Sequence, residues 1–134
     1  MATIKCFTEL ESWQKARKIC KRLVLIANDR IEFRRDRFLY DQMRRSSGSI
    51  MDNIAEGFYR EGNKEFILFL GYAKGSCGEL KSQLFRAQDF NYITVEELTE
   101  MQNEIKSINR LIFGLQNYLK KSEIKGMRFK EPQD

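Results

Sequence analysis

Apolar residues recur at steps of three and four positions in four long segments of the chain, and this periodicity predicts four amphipathic α-helices. The predicted helices cover residues 8–29, 36–60, 63–91 and 94–121. No segment alternates between apolar and polar residues for long enough to predict a β-strand. Because the connections are short, residues 1–121 are expected to form an all-α, antiparallel up-down four-helix bundle. The periodicity ends there, and residues 122–134 are predicted to form a flexible C-terminal tail.

Local signals support several of the helix boundaries. Thr8 and Glu11 have the spacing of a capping box, in which a hydroxyl and a carboxylate each bind a backbone amide at the helix start. Thr94 and Glu97 repeat that spacing before the fourth helix. Asn63 is a candidate N-cap for the third helix, because its side-chain oxygen can accept a hydrogen bond from an amide of the first turn.

The third helix is apolar on more than one side, so it must bury more than one side. One face of each helix reaches the core of a four-helix bundle, and the second face is therefore expected to meet another subunit. The predicted interface residues are Phe66, Ile67, Leu68, Phe69 and Tyr72. The alternative is that a loop or the N-terminal arm of the same chain covers this face. Gly71, Gly75 and Gly78 lie along one side of the helix and are predicted to permit the close approach of another backbone.

A polar stripe runs beside the apolar stripe of the second helix. Ser46, Ser49 and Asn53 lie at helical steps of three and four residues. Because buried polar groups need partners, we expect these side chains to form hydrogen bonds with a neighbouring helix and to fix its register. The alternative is that they orient a ligand. Arg44 and Arg45 are near enough in sequence to join this network, which would weaken their assignment as ligand contacts.

Positive charge is concentrated in one part of the chain. The whole chain carries +5, yet residues 15–45 hold eleven Lys or Arg against four Asp or Glu, a local +7 that leaves the remainder at −2. Cations at this density neutralise backbone phosphates with little sequence readout. The alternative is a solvated surface that only keeps the protein soluble. The predicted nucleic-acid-binding residues are Lys15, Lys18, Arg22, Arg34, Arg35, Arg37, Arg44 and Arg45.

Several kinds of chemistry lack the residues that they need. The chain has no histidine, which removes the commonest general base near neutral pH, histidine-activated nucleophiles and most zinc sites. Asp52 and Glu56 lie one helical turn apart, but Arg60 follows Glu56 by four positions, so an ordinary helix ion pair is the favoured interpretation. The glycines of the third helix do not form a Walker phosphate loop. We therefore expect no enzymatic activity, no metal and no cofactor.

Cysteine usage and hydropathy bear on the cellular compartment. The three cysteines are far apart and have no CxxC spacing, which argues against a disulfide framework and for a reducing environment. The N-terminal residues lack the charged-then-apolar pattern of a secretion signal. The longest apolar run, residues 66–73, is far shorter than the roughly 20 residues that span a bilayer. The protein is expected to be cytoplasmic, with no membrane partner.

Three motifs together resemble a known family. Residues 7–16 read Phe-x-x-Leu-x-x-Trp-Gln-Lys-Ala, and residues 49–57 read Ser-Ile-x-x-Asn-Ile-Ala-Glu-Gly. Residues 64–80 read Lys-Glu-Phe-x-x-Phe-Leu-x-x-Ala-x-Gly-Ser-x-x-Glu-Leu. Over about residues 7–120 the chain resembles the bacterial four-helix-bundle family named after proteins encoded in intervening sequences of 23S ribosomal RNA genes. The motif at residues 49–57 is the most specific part of the resemblance.

The resemblance implies a ring-shaped homopentamer of up-down bundles with no assigned enzymatic activity. A related branch, the accessory variability proteins of diversity-generating retroelements, uses a basic pentamer to bind nucleic acid and a reverse transcriptase. Members often have a proline and an acidic residue before the second helix. Residues 30–37 of this chain instead contain no proline and carry more positive charge.

The charge pattern and the resemblance support two hypotheses of different classes. The leading hypothesis is a non-enzymatic homo-oligomeric scaffold that binds RNA or DNA through its basic surface. The alternative is a protein–protein interaction adaptor whose basic surface meets an acidic partner and binds no nucleic acid. Ring symmetry favours the first hypothesis, because several copies of a weak patch act together at high effective concentration.

Overall fold

The computed structural model describes residues 4–124, which form one 3-10 turn and five α-helices. The turn covers Phe7–Glu9. The helices are α1 (Glu11–Asn28), α2 (Ile31–Arg35), α3 (Arg37–Tyr59), α4 (Gly62–Asp89) and α5 (Val95–Ile124). The four long helices confirm the predicted all-α class, and their ends lie within three residues of the predicted ends. α5 continues through residues 122–124, three residues into the predicted tail, and the rest of that tail lies outside the described residues.

The four long helices surround one apolar core. α3 packs against α1 and α4, and α5 packs against the same two helices. Short connections make successive long helices antiparallel. The predicted apolar stripes meet in the core, and every residue of the α4 stripe is buried: Phe66, Leu70, Ala73, Cys77, Leu80, Leu84 and Ala87. α2, which the periodicity does not predict, joins α1 to α3 and buries Phe33 completely.

α3 and α4 come close together where Gly57 faces α4. A Cβ atom at Gly57 would lie 2.8 Å from Cβ of Phe69 and 3.0 Å from Cδ1 of Phe66. A side chain at this position would therefore collide with α4 unless one of the helices moved. The absence of a side chain allows the two phenylalanines to pack directly on the α3 backbone.

A hydrogen-bonded polar stripe links the same two helices. The Ser76 hydroxyl of α4 donates to Ser49 Oγ of α3 at 2.9 Å. Asn53 Nδ2 donates to both the carbonyl oxygen and Oγ of Ser49, each at 2.9 Å. The prediction that the stripe bonds to a neighbouring helix is confirmed for Ser49, which Asn53 holds in place. Ser46 is buried on the same side of α3.

The glycines of α4 do not have the predicted packing role within the chain. Gly71, Gly75 and Gly78 are exposed. No described atom lies within 4 Å of a Cβ placed at Gly75 or Gly78, and Gly71 has only Gln116 Nε2 at 3.8 Å. The close backbone approach that was expected here occurs instead at Gly57 of α3.

The predicted capping box of Thr8 and Glu11 is wrong. Glu9 binds the backbone amides at this point of the chain, since its Oε2 accepts hydrogen bonds from the amides of Lys5 and Cys6, both at 3.0 Å. These bonds stabilise the 3-10 turn, and α1 begins only after it, at Glu11.

Asn63 is not an N-cap, because α4 begins one residue before it. The Asn63 side chain is buried, and its Nδ2 donates to the carbonyl oxygen of Leu119 at 3.1 Å. This hydrogen bond ties the first turn of α4 to the C-terminal part of α5. Asn63 thus joins α4 to α5, whereas the predicted N-cap would have bound an amide within α4 itself.

A bidentate ion pair holds the connections at the other end of the bundle. Arg30, between α1 and α2, donates to the two carboxylate oxygens of Glu97 at 2.6 and 2.8 Å and to the carbonyl oxygen of Tyr92 at 3.0 Å. Glu97 also forms the predicted capping box with Thr94, through bonds of 2.8 and 3.1 Å. Hydrogen bonds from the Arg30 guanidinium lower the pKa of Glu97 from 4.5 to about 2.

An aromatic cluster packs beside this ion pair. Phe33 of α2 stacks on Tyr92 with ring centres 5.3 Å apart and meets Tyr40 of α3 edge-on at 5.4 Å. The Tyr92 hydroxyl donates to Asp36 Oδ2 at 2.8 Å. Asp36 in turn caps α3 by accepting a hydrogen bond from the amide of Leu39 at 3.1 Å. The cluster therefore fixes α2 and the first turn of α3 on the bundle.

Replacing Gly57 with alanine is expected to destabilise the fold by about 1–3 kcal/mol, because the new methyl group overpacks the contact with Phe69. Gly48→Ala is the matched control within α3, since no neighbouring side chain of the described residues lies within 4 Å of its Cβ position. Alanine at Gly48 should stabilise the helix by about 0.5–1 kcal/mol. Urea unfolding measures both changes, and equal stability of the two variants would contradict the close approach at Gly57.

The Glu97→Gln variant is expected to lose about 1–2 kcal/mol of unfolding free energy at pH 7, since Arg30 is one-third exposed and water screens part of the attraction. In the parent protein this contribution is present above the ordinary pKa of 4.5 and is lost as the pH falls towards 2. The variant should therefore lose less stability over that pH range.

Thermal unfolding followed by circular dichroism between pH 2 and 7 measures this difference. Glu96→Gln, which replaces an exposed carboxylate in the same helical turn, is the control and should keep the parent pH dependence. An unchanged pH dependence in Glu97→Gln would show that the ion pair does not contribute to stability.

Candidate nucleic-acid interface

The predicted nucleic-acid-binding residues lie on three helices that follow one another along the chain. We call this set the basic surface; its members on α1, α2 and the first half of α3 are Lys15, Lys18, Arg22, Arg34, Arg35, Arg37, Arg44 and Arg45. The three α1 residues are spaced by three and four positions and form one stripe. α1 packs against α3, and α2 connects them, so the set occupies a connected part of the bundle.

Most of the basic surface is open to solvent. Lys15 and Arg22 are half-buried, whereas the remaining six side chains are exposed: Lys18, Arg34, Arg35, Arg37, Arg44 and Arg45. Exposed cations can reach the phosphates of a nucleic acid without any rearrangement of the helices.

Acidic side chains neutralise two members of the set. Arg22 forms a 2.9 Å ion pair with Glu100 of α5, and Arg37 lies 3.5 Å from Asp41 one turn along α3. The Arg37 pair is exposed on both sides and therefore contributes little. In residues 4–124 the other six cations form no ion pair, and their positive charge remains available.

Arg44 and Arg45 are near enough in sequence to join the serine–asparagine network, but neither side chain takes part in its hydrogen bonds among residues 4–124. The Arg44 guanidinium lies over the ring of Tyr40, 5.6 Å from its centre, and Arg45 is exposed. Arg34 donates to the carbonyl oxygen of Asn28 at 3.1 Å. Because these partners are neutral, the contacts orient Arg44 and Arg34 without cancelling their charge.

Two further cations, Arg17 and Lys21, extend the basic surface along α1. Together with Lys18 they line a shallow groove of about 470 Å³ beside Trp13. The Arg17 guanidinium lies 5.6 Å from the centre of the Trp13 ring. Arg17 and Lys21 are four residues apart, so their spacing indicates a second basic stripe on α1. The predicted nucleic-acid-binding residues do not include these two.

Not all of the residues predicted to form an oligomer interface are exposed in the single chain. Phe66 is 1% exposed in the core of its own bundle, so it offers no surface to another subunit. Ile67 is partly buried against that core, and Phe69 packs on Gly57. Leu68 and Tyr72 are each 50% exposed. The exposed part of the second α4 face therefore consists of these two side chains and the glycines beside them.

An apolar groove lies between the start of α1 and the second half of α5. It has a volume of about 460 Å³, and Leu10, Leu111, Leu115 and Tyr118 are among the residues that line it. Gly114 also lines it, and no neighbouring side chain among residues 4–124 lies within 4 Å of a Cβ placed there. Sequence periodicity does not reveal this groove, because its residues come from two helices about 100 positions apart.

The acidic and thiol side chains of the described chain do not converge on a metal site. Residues 4–124 contain no group of three or more Cys, Asp or Glu side chains arranged to hold a metal ion. Glu56, which lies one helical turn from Asp52, is 3.7 Å from Arg60. This agrees with the prediction that Glu56 forms an ordinary helix ion pair. No helix within this range is both long and apolar enough to cross a membrane.

Comparisons with known proteins agree with the helical fold. Residues 8–114 match the profile of a family described as 23S rRNA-intervening sequence protein. A similar solved structure is that of a protein of unknown function from the S23 ribosomal protein family of Bacteroides thetaiotaomicron. The two chains are 24% identical and superpose with a TM-score of 0.71, over 78% of this chain and 97% of that one. No curated protein matches the sequence.

Proposed function

The chain belongs to the family of 23S rRNA-intervening sequence proteins, and on that premise we propose that it is a non-enzymatic homo-oligomeric scaffold that binds RNA or DNA through the basic surface. The observation that carries this proposal is the group of six cations in the basic surface that have no acidic partner among residues 4–124. The rRNA in the family description supports a nucleic-acid partner.

Phosphate neutralisation is the proposed mode of binding. The exposed arginine and lysine side chains release counterions when they contact phosphates, which favours association at low salt. Such contacts orient a nucleic acid but do not read its bases, so sequence preference should be weak. The helices hold the cations in place, because the Arg30–Glu97 ion pair and the aromatic cluster fix α2 and the start of α3.

Two different apolar surfaces support self-association. Leu68 and Tyr72 lie on α4, whereas the groove lined by Leu111 and Leu115 lies between α1 and α5. Contacts between two unlike surfaces produce a ring when the rotation between subunits closes. A ring presents several basic surfaces to one nucleic acid and raises the avidity above that of a single copy.

Neutralising the basic surface is expected to weaken binding to every nucleic acid by about the same factor. The test variant is Arg34→Gln with Arg35→Gln, measured by fluorescence anisotropy with structured RNA, single strands and duplex DNA at about 50 mM salt. The slope of log affinity against log salt should fall by about 0.7–0.9 for each phosphate that the variant no longer neutralises. The control is Lys64→Gln with Lys106→Gln, which removes the same charge from exposed positions outside the basic surface.

Equal weakening by the test and control variants would show that net charge, and not the basic surface, determines binding. Absence of binding by the parent protein to all three nucleic acids would contradict the proposed function. The adaptor hypothesis would then replace the proposed function. In that case the same arginines would bind an acidic protein.

The protein is expected to form a discrete oligomer, and the family resemblance implies a pentamer. Light scattering coupled to size exclusion should therefore give about five times the 15.9 kDa chain mass. Leu68→Glu should split it while preserving the helical circular dichroism spectrum, because Leu68 is half-exposed in the single chain. Val95→Glu, at another exposed apolar position, is the control and should leave the mass unchanged. A monomer at micromolar concentrations would contradict self-association.

A further inference from the structure

Two phenylalanine rings are exposed at the end of the bundle that carries the arginines of α2 and α3. Phe38 is 72% exposed and Phe90 is 51% exposed. A phenylalanine side chain gains about 1.5–3 kcal/mol from full burial, so two exposed rings near one another call for an explanation. Arg34, Arg35 and Arg37, which shortly precede Phe38 in the sequence, are also exposed.

The helix register places both rings at one edge of the bundle. Gln42 of α3 accepts a 2.8 Å hydrogen bond from Arg86 of α4, which aligns these two antiparallel helices. Phe38 lies one helical turn before Gln42, and Phe90 lies one turn after Arg86. Residues four apart share a helix face, so both phenylalanines lie one turn beyond the same hydrogen bond.

The aromatic cluster contacts the Phe90 ring and fixes the backbone next to Phe38. Phe90 meets Tyr92 edge-on with ring centres 5.8 Å apart. Tyr92 stacks on Phe33 and donates its hydroxyl hydrogen to Asp36, the residue that caps α3 two positions before Phe38. Phe90 is thus packed on this framework and the helix that carries Phe38 is capped by it, so the backbone of the site is preorganised for a ligand.

Three exposed arginines close to Phe38 in the sequence favour a polyanionic ligand. Arg34 and Arg35 have no acidic partner among the described residues, and Arg37 has only a weak exposed pair with Asp41. The centre of a subunit interface is usually depleted of charged residues. Aromatic rings beside cations are typical of proteins that bind single-stranded nucleic acid, where bases stack on rings while phosphates meet the cations.

We propose that Phe38 and Phe90 form a stacking site for unpaired bases of a nucleic-acid strand whose phosphates contact Arg34, Arg35 and Arg37. The inference rests on the proposed function and adds to it a preference for single strands. A duplex buries the faces of its bases in the helical stack, so it can use the arginines but not the two rings.

The test variant combines Phe38→Ala and Phe90→Ala. It is compared with the parent protein. The probes are labelled 12-nucleotide RNA and DNA strands of the same sequence and the corresponding DNA duplex, measured by anisotropy at low salt. The double variant should bind both single strands at least about tenfold more weakly, the effect of removing one stacked base. Duplex affinity should change less than about twofold, and the salt slope should not change because the phosphate contacts remain.

Two controls make the result specific to stacking at this site. Phe38→Tyr with Phe90→Tyr keeps the aromatic faces and should retain single-strand affinity. Phe113→Ala removes a ring that is 56% exposed on α5 and should have no effect. If the double alanine variant loses helical structure, the single Phe38→Ala variant carries the test, because Phe38 is the more exposed ring.

Single-strand affinity that is unchanged in the alanine variant would overturn the stacking site while leaving the proposed function intact. Equal weakening of single-strand and duplex binding would also overturn it, as would a change in oligomer mass, which would assign the rings to a subunit contact. If the parent protein binds neither strand nor duplex, the proposed function itself fails before any variant is compared.

Discussion

The approach of α3 to α4 at Gly57 is the contact on which the geometry of the basic end of the bundle depends. Gly57 allows the α4 phenylalanines to pack on the α3 backbone, and the bond between Ser49 and Ser76 aligns the two helices along their axes. The same alignment brings Gln42 opposite Arg86, about 22 Å from Gly57 along α3. A shift by one helical turn would separate that pair and change which side chains stand together at the arginine-rich end.

The features that sequence predicts well are those that depend on near neighbours along the chain. Apolar periodicity predicts the four long helices, and the capping box of Thr94 and Glu97 joins residues only three positions apart. The cap prediction for Asn63 is wrong because the partner of its side chain, the Leu119 carbonyl, is distant in sequence. α2 is too short to show periodicity, and the burial of Phe33 between residues of other segments holds it in place.

The location of the basic surface could be predicted from charge density, but the pairing of its charges could not. Arg22 meets Glu100 only because α1 and α5 are neighbours in the fold. Phe66 is likewise one of several apolar residues of α4 in the sequence. Its burial in the core of its own bundle is seen only in the fold. Phe38 and Phe90 are 52 positions apart, and the register of two helices is needed to place them at one edge.

The Arg30–Glu97 pair also constrains how the sequence can diverge. Glu97 accepts two bonds from Arg30 and one from the amide of Thr94, and a shorter aspartate at that position could not reach all three donors. Loss of Arg30 alone leaves a partly buried carboxylate without its cation, and loss of Glu97 alone leaves the guanidinium without its anion. Relatives should therefore carry both residues or replace both, so that the two positions covary across 67 residues of chain.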